Sequence, residues 1–316
     1  MTKILITGAC GQLGSELTGK LRSVYGKDNV IATDIRPPEG EVGEGPFEEL
    51  DVLDRERTEE IIDQYKIEHV YHLAALLSAK AEQDIEFGWK LNMGGLLNIL
   101  KVAREKSLGR IFWPSSIAVF GPDAPKQQTP QNTALNPTTV YGISKVAGEQ
   151  WCAYFYRRFG VDVRSLRYPG LIGYKSMPGG GTTDYAVDIH HKALKRQSYD
   201  CFLARDTALP MMYMADAVNA TVQLMQADGK DIEVRRSYNL SGVSFTPAEI
   251  AEVIKQHVPD FEVNYDPDYR QDIADSWPDS IDDAPAREQW GWQHQYDLEA
   301  IVEDMLDNLS ERVEVL

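Results

Sequence analysis

Lys3-Ile4-Leu5-Ile6-Thr7-Gly8-Ala9-Cys10-Gly11-Gln12-Leu13-Gly14 is the stretch that decides the fold. A short β-rich run ends in three glycines, and Leu13, Leu17, Leu21 and Val24 then recur at helical spacing from Gln12 to Tyr25. Strand, turn and helix follow one another without a linker. In this context one glycine permits the tight turn, the next lets backbone approach a pyrophosphate, and the third lets the helix pack on the strand. The first amides of the helix face the anion. Asn29 to Thr33 predicts a second strand that closes on Asp34. That carboxylate stands about twenty residues beyond the last glycine, where it can accept hydrogen bonds from both ribose hydroxyls and would repel a 2′-phosphate. Arg36 argues for NADP but is displaced from the position of Asp34, so NAD is the cofactor expected. Gly8, Gly11, Gln12, Leu13 and Asp34 are the first cofactor-binding candidates, with Asp51 and Val52 beside the adenine at the end of a third strand.

Outward from this unit the alternation continues: helix 54–65, strand 69–74, a long helix within 84–106, strand 110–115, helix 140–159 and strand 161–168. Strands alternating with helices predict an α/β fold, a doubly wound parallel sheet of the Rossmann kind covered on both faces. After Pro169 the pattern changes. A Gly-rich loop, Pro178-Gly179-Gly180-Gly181, precedes isolated helices at 184–196 and 246–257 and short strands near 200–203 and 261–265. Residues 1–168 are therefore expected to form the NAD-binding domain. Residues 169–316 are expected to form mainly a smaller, mixed α/β substrate-binding lobe, some segments of which return to the first domain. A cleft between packed lobes suits a small molecule.

Composition excludes several functions. With 316 residues, 43% of them hydrophobic, the chain can bury a core without disulfides or metal staples. A net charge of −17 opposes nucleic-acid phosphates and anionic membranes. Cys10, Cys152 and Cys201 lie far apart, which reads as three free thiols in a reducing compartment. His190 and His191 are adjacent, so on a helix they diverge by about 100° and make no metal pair. No signal-peptide core and no apolar run of about 18 residues is present, so a soluble cytoplasmic protein is expected.

Tyr141-Gly142-Ile143-Ser144-Lys145 carries the chemistry. On a helix, positions four apart share a face, so phenol and ammonium can address one bound molecule. A phenol with a pKa of about 10 is a poor base at neutral pH, and Lys145 together with a nicotinamide cation is expected to lower it. Strand 110–115 runs into Ser115 and Ser116 at the carboxyl edge of the sheet, where ligands of such folds bind.

These glycines, serines, tyrosine and lysine, in this order, resemble the extended short-chain dehydrogenase/reductase family, NAD-dependent epimerase/dehydratase-like, over nearly the whole chain. The resemblance implies that Ser116 hydrogen-bonds the reacting oxygen, Tyr141 transfers the proton, and Lys145 binds the nicotinamide ribose and tunes the phenol. Ser115 could share the role of Ser116. Leu73, Ala74 and Ala75 match the segment lining the dinucleotide, Asn92 the asparagine of the following helix, and Tyr168 the segment passing the nicotinamide carboxamide. The helices within 84–106 and 140–159 carry Phe87, Leu91, Leu97, Leu100, Trp151, Phe155 and Phe159. By the resemblance they pair across a two-fold axis to make a homodimer; ordinary packing on the sheet is the other reading.

Residues 78–82, 178–187, 209–218 and 276–292 resemble the L-threonine 3-dehydrogenase branch of that family. This implies a metal-independent oxidation of L-threonine at its β-hydroxyl to 2-amino-3-oxobutyrate. A loop of short Gly and Thr residues suits such a small polar substrate. Thr182 and Thr183 offer hydroxyls, and Gly180 and its neighbours offer amides for a carboxylate. Ser78 can reach the amino acid, and Asp184 is a candidate partner for its ammonium group. The plainer reading is a surface loop that caps helix 184–196. Trp277 and Trp290 read as packing residues. Two alternatives stand beside the dehydrogenase: a nucleotide-sugar epimerase or dehydratase that retains NAD, and a dinucleotide-sensing protein without chemistry, against which the intact Ser116, Tyr141 and Lys145 speak.

Overall fold

Ile4, Leu5 and Ile6 are all fully buried, although successive side chains of a strand point to opposite faces. Both faces of the sheet must therefore be covered, as the sequence predicts. The computed structural model describes residues 2–177 and 179–313. Its first part runs β1 (Ile4–Thr7), α1 (Gln12–Tyr25), β2 (Val30–Asp34), α2 (Gly40–Gly43), β3 (Phe47–Glu49), α3 (Arg55–Tyr65), β4 (His69–His72), α4 (Ser78–Gln83), α5 (Ile85–Lys106), β5 (Arg110–Ser116), α6 (Val140–Phe159) and β6 (Asp162–Tyr168). The second continues with β7 (Gly170–Ile172), α7 (Tyr185–Leu194), β8 (Tyr199–Cys201), β9 (Leu209–Tyr213), α8 (Met214–Gln226) and β10 (Tyr238–Asn239). It closes with β11 (Val243–Phe245), α9 (Pro247–His257), β12 (Val263–Tyr265), α10 (Arg270–Asp275), α11 (Ala284–Trp290) and α12 (Leu298–Val313).

Seven strands form one sheet in the order β10-β6-β5-β4-β1-β2-β3, with every pair parallel. The order reverses between β1 and β4, and at such a switch point the loops at the carboxyl ends part to leave a crevice. On one face Leu5, Ile31, Val70 and Ile111 meet Leu96, Ile99 and Phe155 of α5 and α6. On the other, Ile4, Ile6, Tyr71 and Phe112 meet Leu17 and Leu21 of α1 and Val218 of α8. Local chemistry sets the helix ends. Thr139 caps α6 by accepting from the amide of Gly142, and Gly160 ends it in the left-handed conformation at φ 72°.

The second lobe holds a three-stranded sheet, β11-β9-β7, and a two-stranded one, β12-β8, packed with α7, α9 and α12 around Ile189, Phe245, Ile250 and Met305. Two segments beyond residue 168 return to the first domain: α8 packs on α1, and β10 adds a parallel strand beside β6. The Pro- and Gly-rich stretch 36–46 between β2 and β3 contains α2. Among the described residues, no helix is long and apolar enough to cross a membrane.

Candidate active site

The turn after β1 is built to exclude side chains. Gly8 has φ +73°, and a Cβ there would lie 2.6 Å from the amide nitrogen of Ala74. A Cβ on Gly14 would come within 2.2 Å of the carbonyl oxygen of Gly8, so helix and strand approach as closely as backbone allows. Gly11 precedes α1 and offers no capping side chain to its first amides. Asp34, buried at the end of β2, accepts from the amide of Cys10 at 2.9 Å through Oδ2 and from the amide of Arg36 at 3.0 Å through Oδ1. The Arg36 guanidinium, 59% exposed, leans back on the same carboxylate at 3.3 Å. Leu13 packs on the core beneath the turn, and Gln12 donates to the carbonyl of Met177 at 3.2 Å, a bond between the lobes.

Val52 is buried past the end of β3 and lies under Gly95, whereas Asp51 is exposed and accepts from the amide of Leu53 at 2.9 Å. The amide of Leu73 donates to Thr7, and Ala74 and Ala75 carry the chain past Gly8. Asn92 grips that segment by its backbone, accepting from the amide of Leu76 at 2.8 Å and donating to its carbonyl at 3.1 Å. It also donates to the Ser144 hydroxyl at 3.3 Å. The side chain of Asn92 thus holds the cleft wall. These residues fit a dinucleotide: the turn is a cradle that a Cβ would fill, and Lys145, 2% exposed, uses a single acceptor although an ammonium carries three donors.

At the carboxyl edge the Ser116 hydroxyl lies beside the Tyr141 phenol, and its oxygen accepts from the amide of Ala118 at 3.2 Å. Lys145 Nζ donates to the carbonyl of Pro114 at 2.6 Å and lies 4.6 Å from the centre of the Trp113 ring and 5.4 Å from that of Tyr141. Burial pushes the Tyr141 phenol up to about 12, the Ser116 hydroxyl opposing in part. Burial likewise pushes the Lys145 ammonium down to about 7, against the fields of Cys152 and Glu149. In the chain without a nicotinamide cation, burial thus outweighs whatever acidifies the phenol. The ammonium addresses Pro114, and loss of water disfavours charge on both groups.

Two further candidate side chains are engaged within the protein. Ser115 donates to Oε1 of the buried Glu149 at 2.7 Å, so its hydroxyl is committed and does not share the role of Ser116. The Tyr168 hydroxyl pairs with Thr221 of α8, on the face of the sheet that holds Phe112, which leaves only the backbone of that residue to pass a ligand.

In the second lobe Thr182 is 1% exposed and its hydroxyl oxygen has no hydrogen-bond partner among the described residues. Thr183 packs against Gly170, two residues beyond Tyr168, whose partner in the β5–β6 register is Ser116. Asp184 is not a free carboxylate. Its Oδ2 accepts from the amides of Gly180 and Gly181 at 2.7 Å each, so it staples the loop and occupies the amides expected to hold a substrate carboxylate. Burial pushes its carboxyl up, and the glycine amides counter that. Ser78 is buried at the start of α4. Pro178 lies outside the described residues. Trp277 is a core residue, and Trp290 packs edge-on to Tyr238. Among the described residues no group of three His, Cys, Asp or Glu side chains could hold a metal ion.

Sequence reasoning missed the residues behind this edge. His72, fully buried, is hydrogen-bonded to Thr7 at 2.8 Å and pushed down to about 3 by burial and by Lys145. Glu149 and Arg167 form a buried ion pair. Glu149 stands four residues past Lys145, so the spacing that picked out Tyr141 and Lys145 also reached it.

Fold and site together have the form of a nicotinamide-dinucleotide oxidoreductase. Residues 4–241 match the NAD dependent epimerase/dehydratase family, and the chain belongs to that family. An uncharacterized epimerase/dehydratase of Staphylococcus saprophyticus is 53% identical over 100% of both chains. Among solved structures, a GalE-like L-threonine dehydrogenase from Cupriavidus necator in its holo form is 55% identical, with a TM-score of 0.95 over 97% of this chain and 99% of that one. A monomeric L-threonine 3-dehydrogenase from a metagenome is 49% identical, with a TM-score of 0.94 over 98% of this chain and 99% of the other.

Proposed function

We propose that this protein is an NAD-dependent L-threonine 3-dehydrogenase that oxidises the β-hydroxyl of L-threonine to 2-amino-3-oxobutyrate. The observation that carries the reading is the juxtaposition of Ser116, Tyr141 and Lys145 at the sheet edge, where Thr183 of the glycine-rich loop packs on Gly170, two residues past the strand partner of Ser116. Gly8, Gly11, Gln12 and Leu13 would hold the diphosphate, Asp34 a ribose, and Val52 with Asp51 the adenine end. Leu73, Ala74 and Ala75 would line the nicotinamide half with Lys145, while Asn92 holds that wall in place. NAD supplies the hydride acceptor and, on its nicotinamide ring, a positive charge that favours phenolate.

The rest is the work of the chain's own residues. Ser116 holds the substrate hydroxyl, and Tyr141 takes its proton as general base. Lys145 turns its spare donors toward the ribose and stabilises the phenolate. Thr182, Thr183 and Ser78 bind the amino-acid end, on a loop whose shape Asp184 maintains. This division of labour requires no metal ion. The enzyme acts in threonine catabolism in the cytoplasm, a reducing compartment that suits free Cys10, Cys152 and Cys201. It is a homodimer through α5 and α6, on which Phe87, Trp89, Trp151, Tyr154 and Phe159 are exposed.

Purified protein mixed with NAD and L-threonine should produce NADH steadily. Tyr141→Phe should lose at least ~100-fold in kcat, the scale of general acid–base catalysis, and keep its NADH affinity. Cofactor retained through gel filtration, with turnover of a nucleotide sugar and no NADH released, would overturn the reading. Light scattering tests the dimer, and a monomeric mass would remove it.

A further inference from the structure

Three consecutive residues at the end of β5 are each gripped by α6. The Ser116 hydroxyl meets Tyr141, the carbonyl of Pro114 accepts from Lys145 at 2.6 Å, and the Ser115 hydroxyl donates to Glu149 at 2.7 Å. Tyr141, Lys145 and Glu149 succeed one another at four-residue intervals along one side of the helix. Two of these contacts involve groups given roles in the proposed reaction; the third does not. Glu149 is fully buried, and its carboxylate is secured from two strands at once. Ser115 and Arg167 are direct partners in the β5–β6 register, so their side chains leave the sheet on the same face. Arg167 donates Nε to Oε1 and a terminal nitrogen to Oε2, both at 2.8 Å. The same guanidinium is fixed behind by the carbonyl of Gln131 at 3.1 Å and by Asn239 at 3.0 Å.

We infer that Glu149, acting through Ser115, is a positioning residue that sets where α6 lies along β5 and thereby the contact between the Tyr141 phenol and Ser116. A carboxylate out of water, held by charge-assisted hydrogen bonds from both strands, admits no axial slide of the helix. Tyr141 lies eight residues away on the same rigid rod, about 12 Å at the helical rise, so displacement at one end is delivered at the other. A misplacement of about 1 Å in a reacting constellation can cost on the order of a hundredfold in rate. The inference rests on the proposed reading that Tyr141 and Ser116 carry the chemistry.

Ser115→Ala tests it while leaving the ion pair intact. The expected result is a fall in kcat of about tenfold, with KM for L-threonine and the affinity for NADH within about twofold of the parent. Ser115→Thr, which keeps the hydroxyl, should recover most of that loss. In the Tyr141→Phe background, Ser115→Ala should lower the residual rate no further, because there is no phenol left to place. Unchanged kcat in Ser115→Ala alongside a disabled Tyr141→Phe overturns the inference and leaves the proposed reaction standing. Full activity in Tyr141→Phe overturns the reaction itself. A lower melting temperature at unchanged kcat assigns Ser115 and Glu149 to packing alone and also overturns the inference.

Discussion

Lys145 shows at the residue scale how a site can oppose the stability of its own fold. Burial holds its ammonium down at about 7, while the unfolded chain keeps the ordinary value of 10.5. Below pH 7 the amine is charged in both states and the folded state bears the full desolvation. Between pH 7 and 10.5 the unfolded state binds more proton, so stability rises with pH across that window. Lys145→Met should therefore raise the melting temperature of the cofactor-free protein at pH 6–7 and abolish turnover, and the gain over the parent should shrink as the pH approaches 10.5. A melting series in several buffers, read beside NADH formation, checks both parts. Gly8→Ala should act in the opposite sense, since its Cβ would strike backbone at 2.6 Å from a left-handed φ. A loss of about 1–3 kcal/mol in chemical denaturation, with weaker NADH binding, is expected. Where Gly8, Asp34, Ser116, Tyr141 and Lys145 stand in the fold was legible in the sequence because spacing along one strand or helix places them. The partners of Ser115, Tyr168 and Asp184 were not, because which neighbour engages each side chain depends on segments distant in the chain or on the turn of a loop.

Elements with a period of their own were legible as well. The predicted helices from Gln12 to Tyr25 and over 140–159 have the observed bounds of α1 and α6, since each carries apolar spacing long enough to read and α6 has Thr139 and Gly160 at its ends. Elements too short for periodicity escaped: β7 has three residues and β10 two, and both are defined only by the strands they join. The run of β9 into α8 lacked a turn signal and went unread. The first turn of α6 makes a further test at this scale. A Cβ on Gly142 would approach the carbonyl oxygen of Ala118 to 2.2 Å and Pro137 to 2.6 Å, so this turn sits directly on the chain that follows Ser116. Gly142→Ala should push the turn outward and separate Tyr141 from Ser116, with kcat reduced at least ~10-fold and NADH affinity less affected. Equal kcat in variant and parent would show that the turn tolerates the displacement.

For the whole molecule, burial of neutral imidazoles predicts sensitivity to acid. His72 and His190 are fully buried and both pushed down to about 3 from 6.5. Their contribution is complete above pH 6.5 and declines as the pH falls toward 3, because only the unfolded chain takes up those protons. The Asp184 and Asp216 carboxyls are pushed up by burial and act in the opposite direction. The melting temperature should nevertheless fall steeply below pH 6.5, and His72→Gln should flatten that slope; an unchanged slope would remove His72 from the account. The outermost strand of the large sheet carries a different consequence. Since β10 comes from Tyr238 and Asn239 and pairs with Leu166 and Arg167 of β6, a ribosome that has released only the first 168 residues leaves that margin of β6 bare. Such a margin is a template for pairing with other chains. Nascent polypeptide would need shelter until some seventy more residues emerge, and a gene cut after residue 168 should yield insoluble material rather than a miniature enzyme.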